Sequence, residues 1–230
     1  MNPEIIVMLT HHDVTVANAR ELFRESADLP IKYWGFKDNG LSFPELGNLV
    51  TDMREAGKSP VLEVVNFDEA GLLKSIELAV DCGVEYFTGG IFSDKALEQA
   101  KGAGMKYYPF CGNVGGSVIE LRGSHQSVID NARRLIELGV DGVDLVAYRY
   151  KDGDPVELAK AAIEGVGAEN LIIAGSINSC ERMQIMAEVG PFGYTMGGAL
   201  FDGKFVEGGS FHENLERVVE LKDSFEVVAR

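Results

Sequence analysis

One pattern governs the whole chain: an amphipathic segment, a glycine, then a short β-rich apolar run. The glycines are Gly57, Gly83, Gly104, Gly139, Gly167 and Gly190, each followed within a few residues by a strand-like stretch. A glycine just after a helix reads as a left-handed C-cap, because it has no Cβ to clash there. The strands so predicted are Glu4–Leu9, Ile31–Phe36, Pro60–Val65, Val84–Thr88, Met105–Phe110, Gly142–Tyr148, Leu171–Ala174 and Gly193–Met196. Many are continuously apolar, as parallel strands buried on both faces require. Alternation with helical patterns implies repeated βαβ units. Eight such units in 230 residues leave little room for a second domain. They predict an α/β fold, a (β/α)8 TIM barrel spanning residues 1–230 as one domain. An open doubly wound sheet is the rival. The first strand lacks the Gly-x-Gly-x-x-Gly dinucleotide fingerprint, its turn reading Thr10-His11-His12-Asp13.

Helix starts agree with this division. Ser42-Phe-Pro-Glu45, Asp154-Pro-Val-Glu157 and Asn178-Ser-Cys-Glu181 resemble capping boxes, and Pro155 sits where a first-turn proline loses no hydrogen bond. Leu49, Val50 and Met53 form one apolar helix face, and Ile129, Ala132, Leu135 and Ile136 another.

Net charge is −15, from 36 acidic and 21 basic residues. Such a field repels nucleic-acid phosphates, and no basic stripe offsets it. No apolar run approaches the ~18 residues of a membrane span, and Met1-Asn2-Pro3-Glu4 has no basic leader region. Cys82, Cys111 and Cys180 are odd in number with no metal-like spacing, which fits a reducing cytosol. The expected protein is cytoplasmic, with no nucleic-acid or membrane partner. Self-association through outer helices is compatible with this reading. A small anionic ligand remains compatible with the charge, since backbone amides and one or two cations suffice to hold it.

In a (β/α)8 barrel the strand-to-helix loops carry the site. The last two such loops give the strongest signal. Strand 7 runs Leu171-Ile-Ile-Ala-Gly175-Ser176-Ile-Asn178, and strand 8 runs Gly193-Tyr-Thr-Met-Gly197-Gly198-Ala-Leu-Phe201. Glycines there let backbone amides approach an anion, and a short helix beginning near Gly198 would aim its amides at it.

Here the chain resembles the ribulose-phosphate-binding barrel superfamily, which includes phosphoribosyl isomerases, sugar-phosphate epimerases and decarboxylases. The resemblance implies that Gly175, Ser176, Gly197 and Gly198 hold a substrate phosphate, and it carries over no catalytic residue. The Asp-x-Lys-x-x-Asp of the decarboxylases is absent from the strands. The acid–base pair of the phosphoribosyl isomerases is incomplete: strand 1 offers Asp13 or His11, but strand 5 offers only Cys111 and Asn113.

The catalytic candidates are Lys37, Glu63, Asp144 and His11. Lys37 lies at the barrel mouth, as a proton donor, a clamp or, with a depressed pKa, a Schiff-base nucleophile. Glu63 sits inside an apolar strand, where a carboxylate needs a partner; Lys37 on the adjacent strand is the natural one. Such a pair can move a proton at a carbon beside a carbonyl, or simply form a structural salt bridge. Asp144 and Arg149 flank strand 6, five residues apart, and face oppositely if the strand stays regular. Arg149 can bind an anionic group if the strand has already ended, and Asn178 can bind substrate hydroxyls. Adjacent His11 and His12 diverge on an extended chain, so an acid–base or hydroxyl-binding role is favoured over a metal. Cys111 lacks a visible base and reads as packing, and Lys151 reads as an exposed turn.

These readings converge on an enzyme acting on a small phosphorylated sugar or sugar acid by isomerisation, epimerisation or aldol cleavage, without a cofactor. The alternatives are a regulatory barrel that senses a phosphometabolite without turnover, and a metal-dependent epimerase.

Overall fold

The computed structural model describes residues 2–116 and 119–225. Eight parallel strands form its sheet: β1 (Glu4–Met8), β2 (Tyr33–Lys37), β3 (Ser59–Val64), β4 (Tyr86–Gly89), β5 (Lys106–Tyr108), β6 (Val143–Leu145), β7 (Leu171–Ile173) and β8 (Gly193–Met196). Around them lie α1 (Ala19–Ser26), α2 (Phe43–Glu55), α3 (Glu69–Cys82), α4 (Asp94–Ala103), α5 (His125–Leu138), α6 (Pro155–Val166), α7 (Cys180–Val189), the short α8 (Gly198–Phe201) and α9 (Phe211–Ser224). The strands pair in the order β6-β7-β8-β1-β2-β3-β4-β5. The ring closes by a parallel bridge between Phe110 and Asp144. There the Asp144 N–H donates to the Pro109 carbonyl at 2.9 Å and the Cys111 N–H to the Asp144 carbonyl at 3.1 Å. The fold is the predicted (β/α)8 barrel.

Period-two alternation divides the core. On β1, Ile5 and Val7 face the helices with Trp34, Phe36, Leu62 and Phe87, while Ile6 and Met8 join Tyr33, Val61, Tyr108 and Ile172 inside the barrel. The rings of Tyr33 and Tyr86 meet edge to face at 5.3 Å, and Phe192 stacks on Tyr86 at 6.2 Å. Gly35 makes room for this filling: a Cβ there would lie 2.2 Å from the Met8 sulfur. The interior is therefore packed shut with aromatic and aliphatic side chains. Polar inward residues come at the C-terminal ends of the strands, in the register Lys37–Glu63–Thr88 across β2, β3 and β4.

Local chemistry sets the boundaries. At α2 the Ser42 N–H donates to the Glu45 carboxylate at 2.7 Å, completing the expected capping box. Gly83, Gly104, Gly139 and Gly190 are left-handed C-caps, as expected. Gly167 is not: at φ 89° and ψ 146° it leads into a 3-10 turn, Ala168–Asn170. The box predicted at Asp154 is one-sided. Asp154 accepts from the Val156 and Glu157 N–H groups at 2.8 and 2.9 Å, while Glu157 pairs with Lys160. The cap predicted at Asn178 falls one residue later, on Ser179, whose hydroxyl accepts the Arg182 N–H at 3.2 Å. The Asn178 side chain is thereby left out of the cap and instead accepts from Arg182 Nη1 at 3.3 Å.

Two features depart further from the sequence reading. The predicted strand Gly142–Tyr148 ends at Leu145, and Ala147–Arg149 turns as a 3-10 helix. Two antiparallel hairpins also stand on the C-terminal face, one pairing Thr10–His11 with Val14–Thr15, the other Asn113–Gly115 with Glu120–Arg122.

Candidate active site

The site begins with the first hairpin. Its two-residue turn, His12-Asp13, has φ of 51° and 62°, the left-handed pair that a tight hairpin between twisted strands demands. Thr15 fastens the hairpin to β2: its hydroxyl accepts the Lys37 N–H at 2.8 Å and donates to the Lys37 carbonyl at 2.9 Å. The turn thereby lowers Asp13 over the barrel mouth.

Lys37 is 4% exposed. Its Nζ lies 2.7 Å from Asp13 Oδ1 and 3.2 Å from Glu63 Oε1. Burial alone pulls the Lys37 pKa down, but the charge of Glu63 and the hydrogen bond and charge of Asp13 outweigh it, so the amine sits above the ordinary lysine value. The hydrogen bond from Lys37 holds the Asp13 carboxyl below its usual range against partial burial, helped by the Lys37, Arg149 and His12 charges. Lys37 thus stands between the Asp13 and Glu63 side chains as an ammonium.

Asp144 is fully buried, and neither carboxyl oxygen has a hydrogen-bond partner. Burial foremost, then the charge of Glu63, pushes its pKa well above the carboxylate range against the pull of Lys37. An unpaired buried charge costs far more than a neutral acid, so the surroundings favour the neutral form of Asp144.

A cavity of about 350 Å³ opens above this group. Its walls include Lys37, Glu63, Asp13 and His12 on one side and Arg149, Gly175, Ser176, Asn178, Gly197 and Gly198 on the other. After β7 the chain takes two left-handed residues in succession, Gly175 at φ 87° and Ser176 at φ 60°. A Cβ at Gly175 would come within 3.3 Å of the Arg149 guanidinium, so glycine also gives Arg149 its place. The N–H groups of Gly175, Ser176, Gly197 and Gly198 donate to no acceptor within the described protein. Arg149 likewise makes no side-chain hydrogen bond or ion pair there. α8 begins at Gly198, as the sequence predicts, and Leu200 N–H donates to the Gly197 carbonyl at 2.8 Å.

The structure thus brings Lys37, Glu63, Arg149, Asn178 and the four loop residues to one cavity and buries Asp144 beside them in the barrel. His11 is set apart. Its Nε2 lies 3.0 Å from Asp202 Oδ1 and its ring stacks on Phe201 at 5.3 Å, while His12 and Asp13 line the cavity. The opposed faces expected of Asp144 and Arg149 do not arise, because the 3-10 turn ends strand geometry before Arg149. Cys111 is buried with its thiol pKa pushed up by desolvation, in keeping with packing, and Lys151 pairs with Glu120 at the surface.

Sequence reasoning missed Arg182. From α7 its Nη1 donates to the Ser176 carbonyl and, at 3.3 Å, to Asn178 Oδ1, and its guanidinium covers the Tyr148 ring at 4.3 Å. The only sequence signal was an arginine in the first turn of the helix after a glycine loop. Among the described residues, no group of three or more His, Cys, Asp or Glu is arranged to hold a metal ion, and no helix is long and apolar enough to cross a membrane.

No protein-family model and no curated protein sequence matches the chain. Solved structures do match. Native KDPGal aligns with a TM-score of 0.64 at 13% identity, over 98% of this chain and 93% of the other. A mandelate oxidase variant with the monooxide FMN adduct aligns at 0.62 and 14%, over 96% and 73%. A FabK variant from Thermotoga maritima aligns at 0.59 and 13%, over 86% and 62%. At these identities the likeness establishes one thing, a shared (β/α)8 barrel.

Proposed function

We propose that this protein is an enzyme that isomerises or epimerises a small phosphorylated sugar or sugar acid. One observation carries the reading. A buried ammonium–carboxylate pair, Lys37 and Glu63, shares a cavity with Arg149 and four amides that have no protein acceptor. The amides and Arg149 suit a phosphate, which offers several acceptor oxygens to amides and a guanidinium together. Holding the phosphate fixes the carbonyl end over Lys37 and Glu63, and such positioning is a large part of catalysis.

The proton chemistry follows. Glu63 removes a proton from the carbon next to the carbonyl, and Lys37 donates to the carbonyl oxygen as the enediol forms. Protonated Glu63 then returns the proton to the former carbonyl carbon while Lys37 takes one back from the neighbouring enediol hydroxyl, which completes isomerisation. Return to the original carbon after the enediol has turned its other face to Glu63, with Lys37 recovering the proton it gave, completes epimerisation, and neither changes the net redox state. Asp13 keeps Lys37 charged, and protonated Asp144 lies next to Glu63 as a neutral acid. A Schiff base requires a free amine, which the two carboxylates on Lys37 oppose, so proton transfer is preferred over aldol cleavage.

The test is a thermal-shift screen against phosphosugars, followed by exchange of the substrate's carbon-bound proton with deuterated solvent. A stabilising ligand whose α-proton exchanges, with exchange lost in Glu63→Gln, supports the reading. Trapping of that substrate on Lys37 by borohydride would move the reaction to the aldolase class.

A further inference from the structure

We infer that the substrate carries a single anionic group, and that its reacting end is a neutral hydroxy-carbonyl rather than a carboxylate or a second phosphate. The inference rests on the anion-binding reading above and narrows it. The geometry divides the cavity by charge. On one side the guanidinium of Arg149, in no ion pair among the described residues and touched by Asp13 only through charge at a distance, lies against Gly175 beside the amides of Gly175, Ser176, Gly197 and Gly198. On the other side the one lysine in the wall, Lys37, already touches two carboxylates, at 2.7 and 3.2 Å.

A second anion there would face Asp13 and Glu63, with Lys37 already paired to both and His12 the one further basic side chain on that wall, and like charges so placed oppose binding strongly. Hydroxyl groups fit the same surroundings, since carboxylates accept their protons and Asn178 can both donate and accept. Of the two substrate classes, a phosphorylated neutral sugar is therefore selected over a phosphorylated sugar acid or a bisphosphate.

Matched ligands test this. Calorimetric titration of the full chain would compare inorganic phosphate, ribose 5-phosphate, its C1 carboxylate counterpart 5-phosphoribonate, and ribose 1,5-bisphosphate. The neutral sugar phosphate is expected to bind more tightly than phosphate and at least about tenfold more tightly than either ligand with an anionic reacting end. Glu63→Gln is expected to narrow that ratio, because it removes the repelling charge and keeps the shape. Binding of 5-phosphoribonate or the bisphosphate as tightly as ribose 5-phosphate overturns the inference while leaving the anion site standing, as does a neutral sugar phosphate no tighter than phosphate itself. If inorganic phosphate and all three ligands fail to bind, the anion site itself falls and the inference with it.

Discussion

At the scale of single residues the protonated Asp144 makes the sharpest claim. Its pKa is raised in the folded state by burial and by Glu63, against about 3.9 in an unfolded chain. Folding therefore takes up a proton at this site above that value. The stability it contributes is complete below about pH 4 and is lost as pH rises through the folded pKa. Asp144→Asn removes the titration, so urea midpoints of the variant should fall less than those of the wild type between pH 5 and 8. Identical slopes would mean that Asp144 is ionised and paired. Asp52 works in the opposite sense. Arg20 and Arg24 both clamp it, which lowers its carboxyl to about 2. Its stabilisation is present above the unfolded pKa and lost as pH falls toward 2. Both arginines are largely solvent-exposed, so Asp52→Asn is expected to cost only about 1 kcal/mol at neutral pH, read from the shift in urea midpoint.

The elements show which sequence signals were decisive. Barrel strands were legible because continuous apolar runs separated by glycine caps allow few other arrangements, and β8 matches its predicted span Gly193–Met196. β6 was overread because Val146, Ala147 and Tyr148 continue the apolar run while the backbone already turns. The hairpin bearing Asp13 was missed because His-Asp lacks the glycine that marks most two-residue turns. Lys37 was placed at the mouth by the rule that strand-to-helix loops carry the site, and Glu63 pointed to it because a carboxylate inside an apolar strand demands a partner; the two meet at 3.2 Å. Arg182 was not, because its role depends on the left-handed backbone at Ser176, which composition does not reveal. Strained φ persists only where neighbours hold it, and Arg182 holds this one. Arg182→Met should weaken phosphate binding by about tenfold, and Ser176→Gly added to it should restore part of the loss, since glycine adopts that φ freely. Both effects are read by calorimetry. An Arg182→Met protein with unchanged phosphate affinity contradicts this role.

For the whole molecule, the barrel separates stability from chemistry. Its interior is sealed by Tyr33, Tyr86, Tyr108 and Phe192 at the end away from the cavity, so loops at the other end can bear a ligand without weakening the core. A net charge of −15 works against an anionic ligand at long range, and short-range amides and Arg149 must overcome it. At a ligand concentration 100-fold above Kd, the fold should gain about 2.7 kcal/mol. The account stands on those amides meeting an anion, and an amide-resolved NMR titration with inorganic phosphate reads them directly. The prediction is saturable shifts at Gly175, Ser176, Gly197 and Gly198, strongly reduced in Arg149→Met. Shifts that avoid all four, or that survive unchanged in the variant, would contradict it.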